Sequence, residues 1–191
     1  MAIRQPIDAA LEVVAAFEDL GIRYHLGGSY ASSVHGVPRQ THDVDIVAEL
    51  ETRHATLLAL KLQDRFYLDV EMIRSRLLTG KSFNLLHLES AFKVDVFPLK
   101  DGAFDREEFR RSELRALADG TERAVFVKSA EDILLRKLEW YRLGREVSDR
   151  QWNDILGLVK AQGALLDSPY LRRWAAELGI EDLLERALSE H

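Results

Sequence analysis

Residues 27–46 read GGSYASSVHGVPRQTHDVDI, and the reading of the whole chain turns on them. Val44, Ile46 and Val47 are β-branched and apolar, so 43–48 is expected to be a strand. Successive side chains of a strand point to opposite faces, which puts Asp43 and Asp45 on the same face a few ångströms apart. Two like charges held together repel unless a cation or a shared proton relieves them. Carboxylate-only ligands suit Mg²⁺ rather than Zn²⁺. An exposed edge strand could carry the same pair as plain solvated charge, but the apolar flanks argue for a buried strand, where two carboxylates without a partner would be costly. Gly27-Gly28-Ser29 has the residue types a phosphate requires where a turn enters a helix. Taken alone such a turn is common; its force comes from lying about fifteen residues before Asp43.

Working outward, Ile22 to Leu26 alternates and is expected to be a strand running into Gly27. A helix over 29–35, ended by Gly36 and Pro38, then leads to the Asp43 strand. That strand–turn–helix–strand order brings the glycine turn and the carboxylates together. A third carboxylate is expected from Lys93-Val94-Asp95-Val96-Phe97, where Asp95 alternates with valines in a β-favouring run. The remaining expectations for the first part are helices at 6–20, 51–62, 69–78 and 105–113, a hairpin of 83–88 with 92–97, and a short last strand at 124–127.

From Ser129 the pattern becomes helical. Ser129-Ala-Glu-Asp132 and Ser148-Asp-Arg-Gln151 are helix-start signatures, the second matching the capping box. Helices are expected at 130–142, 149–161, 168–178 and 180–189, with Gly144, Gly163 and Gly179 as punctuation. The chain therefore divides into an α/β core over 1–127, with a small mixed sheet flanked by helices, and a helical module over 128–191. On the helix at 130–142, Ile133, Leu134, Leu138 and Tyr141 form an apolar stripe and Lys137 falls inside it. Such a lysine either snorkels to the edge or points into a cleft. Trp140, Trp152 and Trp174 are expected to pack between helices.

The chain has 191 residues, a formal net charge of −6 and no cysteine, which excludes disulfides and thiolate metal sites. No apolar run approaches the ~20 residues of a membrane span, and the N-terminus lacks the features of a signal peptide. A cytoplasmic protein is the simplest expectation. The six histidines show no helical zinc-ligand spacing. The negative balance argues weakly against a broad nucleic-acid-binding surface. Arg106, Arg110 and Arg111, with Arg136, Arg142, Arg145 and Arg150, could form a local basic stripe, although acids are interleaved with them.

The set Gly27-Gly28-Ser29, Asp43-Val44-Asp45 and Asp95 resembles the nucleotidyltransferase superfamily built on the DNA polymerase β-like fold. The string His35-Gly36-Val37-Pro38-Arg39-Gln40-Thr41-His42-Asp43-Val44-Asp45 is similar to a narrower branch, the bacterial enzymes related to AbiEii-type toxins. The resemblance implies an enzyme that moves a nucleoside monophosphate from an NTP to an acceptor hydroxyl, with two Mg²⁺ ions held by Asp43, Asp45 and Asp95. It implies a nucleotide-binding set of Gly27, Gly28, Ser29, Arg39 and Lys137, and a late acidic position at Asp154. It also implies the tRNA 3′ end as acceptor, in a toxin–antitoxin system with an antitoxin protein as partner. An aminoglycoside-type small-molecule adenylyltransferase, transfer to a protein hydroxyl, and a non-catalytic NTP-binding or docking module stay open as alternatives.

Overall fold

The computed structural model describes residues 6–35, 43–116 and 123–190. Its centre is a seven-stranded mixed sheet. The strands are β1 (Tyr24–Leu26), β2 (Asp43–Ala48), β3 (Phe66–Tyr67), β4 (Phe83–His87), β5 (Lys93–Pro98), β6 (Glu113–Ala116) and β7 (Ala124–Val127). They are ordered β3-β4-β5-β2-β1-β7-β6. β2 runs parallel to β5 and β1 parallel to β7, while the other neighbours are antiparallel.

Helix α1 (Pro6–Asp19) packs on β2 and β5, burying Val13, Val14 and Phe17. The strand residues facing it alternate, as the two-residue period requires: Val44, Ile46 and Ala48 on β2, and Val94 and Val96 on β5, are buried. Helix α2 (Gly28–Val34) follows β1 directly and lies against β2. Helices α3 (His54–Leu62), α4 (Val70–Leu78) and α5 (Ala103–Arg110) complete the part before β6. The rest is helical after β7: α6 (Ala130–Leu143), α7 (Asp149–Gln162), a 3₁₀ turn at Gly163–Leu165, α8 (Ser168–Leu178) and α9 (Glu181–Ser189). The α/β architecture with a helical C-terminal part is as the sequence led one to expect. Apolar packing is continuous through it, from Phe17 and Ile46 to Leu134, Leu138, Ile155 and Leu184.

The helix starts are made as the capping residues dictate. Ser129 Oγ accepts from the Asp132 amide, and Ser148 Oγ from the Gln151 amide. Two strands were not foreseen, and two helices fall short of their patterns, α3 beginning at His54 rather than 51. α5 ends at Arg110 rather than running to 113, because Ser112 Oγ donates to the Phe109 carbonyl and the chain then turns into β6. β6 reads Glu-Leu-Arg-Ala, a helix-favouring composition made extended by pairing with β7. β3 is only two residues long, too short for any alternation to show.

Candidate active site

The parallel register of β2 and β5 sets Asp45 beside Asp95 and Asp43 beside Lys93. On the other side, β4 places Asn84 opposite Asp95. Asp43 and Asp45 share a face with Val47, and the alternation buries Val44, Ile46 and Ala48 on the opposite one. Thus all three carboxylates singled out in the sequence lie on one face at neighbouring positions of adjacent strands.

Gly28 lies directly against this pair. It has φ +57°, and a Cβ built on it would stand 1.7 Å from Asp45 Oδ2. Only glycine adopts that backbone region freely and also leaves room for the carboxylate. The Gly27 amide donates to the Asp45 carbonyl at 2.9 Å, which fixes the turn to the strand. The residue types of the turn are explained by the approach of Asp45 before any phosphate is invoked.

Burial raises the Asp45 carboxyl to about 6, reinforced by Asp43 and Asp95 and opposed by Lys128 and Lys93. The site is short of positive charge. Lys93 Nζ supplies part of it, lying 2.7 Å from Asp95 Oδ2. Asp43, Asp95 and Asp45 all raise the Lys93 ammonium above its ordinary value, the hydrogen bond to Asp95 most strongly. Among the described residues no three acidic or histidine side chains form a ready-made ligand group. Lys93 is what turns Asp95 toward an ammonium. Three carboxylates crowded on one face, with the mutual repulsion that helps raise Asp45, suit a hard divalent cation such as Mg²⁺.

A cleft of about 740 Å³ opens at Asp45, with walls that include Gly27, Ser29, Asp45 and Lys128 on the sheet side and Lys137 and Asp154 on the other. Lys128 follows β7, and its amide donates to the Leu26 carbonyl at 3.0 Å, extending the β1–β7 ladder. Its stem packs beside Gly27, and its Nζ lies 3.1 Å from Glu108 Oε2. Glu108 also accepts from Arg136 Nε at 2.9 Å, and Arg136 reaches Asp105 at 2.6 Å and Glu139 at 2.8 Å. These acids raise the guanidinium of Arg136 above its ordinary range even against its burial. The network, buried at Lys128 and Glu108 and partly open at Arg136, Asp105 and Glu139, ties α5, β7 and α6 together along the cleft floor.

His25 lies beneath it. Because Ser112 Oγ donates to the Phe109 carbonyl, it is left to accept from His25 Nδ1–H at 2.8 Å. Burial, with Lys128 and Arg136 nearby, holds His25 well below the usual histidine range, so the ring is neutral.

Lys137 does not snorkel away from its stripe. Its Nζ points to Asp154 Oδ2 of α7 at 3.3 Å, and both line the cleft. The two residues picked out in the helical part thus meet each other. Arg39 and His42 lie outside the described residues.

No family model matches the sequence, and no curated protein matches it. Solved structures do. An antigenic nucleotidyltransferase-like protein from Paracoccidioides brasiliensis superposes with a TM-score of 0.54 at 18% identity, over 94% of this chain and 91% of that one. The aminoglycoside-resistance protein ANT(2″)-Ia, in complex with adenylyl-2″-tobramycin, superposes with a TM-score of 0.53 at 15% identity, over 91% of this chain and 96% of that one. The chain has a nucleotidyltransferase fold. The similarity extends over nearly the full length, helical part included.

Within that fold, two features of the cleft escaped the sequence. Lys128 and Glu108 form a buried ion pair in it, separated by twenty residues that contain a strand with no readable signal. Trp140 is not a packing residue. Trp152 and Trp174 are buried, as expected, but Trp140 is 61% exposed at the cleft rim. Three residues on from Lys137, it shares that side chain's face of α6, a placement the helical period could have given. No described helix is long and apolar enough to cross a membrane.

Proposed function

We propose that this chain transfers a nucleoside monophosphate from an NTP to an acceptor hydroxyl. The observation that carries the reading is the register of Asp45 beside Asp95, with Asp43 on the same face and Gly28 packed against Asp45. In the reaction the acceptor oxygen forms a bond to the α-phosphorus, the bond from that phosphorus to the bridging oxygen breaks, and pyrophosphate leaves. Asp43, Asp45 and Asp95 are assigned as ligands of two Mg²⁺ ions, which when bound lower the pKa of the acceptor hydroxyl and neutralise phosphate charge. Asp95 takes the hydroxyl proton. The turn Gly27-Gly28-Ser29 and the ammonium of Lys128 receive the phosphates at the sheet side of the cleft, and Lys137 receives them from α6. Arg39, outside the described residues, keeps the phosphate-contact role implied by the sequence resemblance.

The acceptor is a small hydroxylated molecule in this reading. A tRNA 3′ end calls for a basic stripe, and four of the seven arginines that could have made one are paired with acids. Arg110 pairs with Glu107, Arg111 with Glu131, and Arg142 with Glu146 and Asp182. Arg136 is committed to the three acids of the cleft floor. ANT(2″)-Ia, which shares the fold, was solved with a nucleotidylated aminoglycoside. The toxin reading and its antitoxin partner stand or fall with tRNA as acceptor.

The test is incubation with Mg²⁺ and each α-labelled NTP, in the presence of total tRNA or of a panel of aminoglycosides and other polyols. Label in a small product supports the reading, and label in tRNA replaces its acceptor with the toxin's. Transfer that persists in both Asp43→Ala and Asp45→Ala, or label in no acceptor, overturns it.

A further inference from the structure

Trp140 has no structural reason to be where it is. The other two tryptophans are held in the interior: Trp152 stacks near Tyr141 with ring centroids 5.1 Å apart and donates to Glu190, while Trp174 lies 5.1 Å from Phe104. Trp140 is left 61% exposed on α6, and Leu143, three residues on, is 69% exposed. Both line the same cleft as Asp45 and Gly28. An indole and a leucine left wet side by side in a concave site indicate a ligand surface rather than packing.

The order of groups along α6 narrows what that ligand is. Lys137, Trp140 and Leu143 are three residues apart, each step a rise of about 4.5 Å along the helix with the residues on one side. Along α6 the cation comes first and the aromatic ring one turn further from the Ser129 end of the helix. A nucleotide has the same order, phosphates first and a flat base after the sugar. A polycationic acceptor could also meet the indole through a cation–π contact, but Lys137 one turn away on the same side repels it while attracting phosphate. Stacking on an aromatic face is how bases of any identity are held without hydrogen-bond readout.

We infer that Trp140 is the stacking surface for the nucleobase of the NTP, with Leu143 as its apolar border and Lys137 under the phosphates. The inference rests on the nucleotidyl-transfer reading for its choice of ligand, but its test does not require transfer. Trp140 is the exposed indole among three, so its fluorescence reports directly on a base laid over it.

The experiment titrates the whole protein, with Mg²⁺, using ATP, GTP, CTP and UTP in turn, and using inorganic tripolyphosphate as the probe without a base. Nucleotides are expected to quench the exposed-tryptophan emission, and tripolyphosphate to bind without quenching. Trp140→Ala should weaken nucleotide binding about 10-fold and leave tripolyphosphate binding unchanged, while Trp140→Phe should restore most of the loss. The buried Trp152 and Trp174 then report that the variants are folded. Equal nucleotide affinity in Trp140→Ala and the unmodified protein overturns the assignment. So does a raised KM for the acceptor with an unchanged KM for the NTP, which would leave the transfer reading standing. Quenching by nucleotides in a protein that transfers label to nothing would do the opposite, removing the transfer reading and keeping the base platform.

Discussion

The carboxylate of Asp45 fills the space where a side chain on Gly28 would be, 1.7 Å from the position of its Cβ. Neither residue can be understood without the other. The positive φ of Gly28 turns the chain from β1 into α2, and the missing Cβ admits the strand carboxylate to the turn. Gly28→Ala therefore strains the backbone by about 1–2 kcal/mol and displaces Asp45 as well. The expected result is a fall in melting temperature of several degrees and a loss of transfer of about 100-fold or more, since a shift of an ångström at the reacting centre has that effect. Calorimetry with a labelled-NTP assay checks it; an Ala variant with full activity would show that Asp45 need not sit there.

Asp45 is held against its own preference. Its carboxyl is raised from 3.8 to about 6 by burial, then by Asp43 and Asp95. With the folded value above the unfolded one, the native state keeps its proton longer. The stabilisation from that proton is complete below about 3.8 and is lost as pH rises through 6. At pH 8 without metal the folded protein carries an ionised group costing roughly 2–3 kcal/mol. Asp45→Asn should accordingly be more stable than the unmodified protein at pH 8 in chelator, the gain shrinking toward pH 4, while transfer is abolished. Added Mg²⁺ should stabilise the unmodified protein and not the variant, which thermal melts at both pH values measure.

The elements that carry this pair were legible in the sequence, and so was the fold built on them. Asp43, Asp45 and Asp95 sit in β-branched runs, Gly27-Gly28 interrupts one, and both signals are local. What stayed hidden depended on contacts between distant segments. β6 is a strand because β7 is beside it, not because Glu113-Leu114-Arg115-Ala116 favours extension. Lys128 reads as one more polar residue after a strand until Glu108 and Gly27 are seen around it. The pairing of Lys137 with Asp154 likewise belongs to how α6 and α7 pack. Trp140 is a different case. Tryptophan is most often a packing residue, and only its position on the Lys137 side of α6, rather than on the Leu134–Leu138–Tyr141 side, marks this one as exposed.

The Lys128–Glu108 pair is buried on both sides, and breaking one partner leaves a charge without its counterion. Glu108→Ala should destabilise the protein by about 3–5 kcal/mol in urea unfolding, because Lys128 and Arg136 both lose an acid. Glu108→Leu combined with Lys128→Met removes both charges of the pair and should recover most of that loss. If the double variant is no more stable than Glu108→Ala, the pair is not what holds β7 to α5.

His25 gives the fold a dependence on acid. It is neutral when buried, with Nδ1–H on Ser112 and its pKa depressed by burial and by Lys128 and Arg136. Below about 6.5 the unfolded histidine takes up a proton that the folded one refuses, so stability falls with pH by up to about 1.4 kcal/mol per unit until the folded value is reached. His25→Phe keeps a ring against Phe109, 5.0 Å away, and removes the titration. Its stability between pH 6.5 and 5 should decline less steeply than that of the unmodified protein, as chemical unfolding at each pH will show. Parallel slopes would assign the acid sensitivity to other groups.

Lys137 and Asp154 divide a structural role from a ligand role. Their contact at 3.3 Å is partly open to solvent on both sides, and such a pair contributes no more than about 1 kcal/mol to stability. If the ion pair were all that Lys137 does, Lys137→Met and Asp154→Asn would behave alike, with small effects on melting and none on nucleotide binding. If Lys137 receives phosphate, the two variants part. Lys137→Met should raise the KM for NTP about 10-fold or more, since it removes a charge-assisted contact. Asp154→Asn leaves the ammonium in the cleft and should leave that KM near its original value. Steady-state kinetics on both variants, with melting curves as the control for folding, separate the cases. Equal KM values in the two would return Lys137 to the role of a helix-joining side chain.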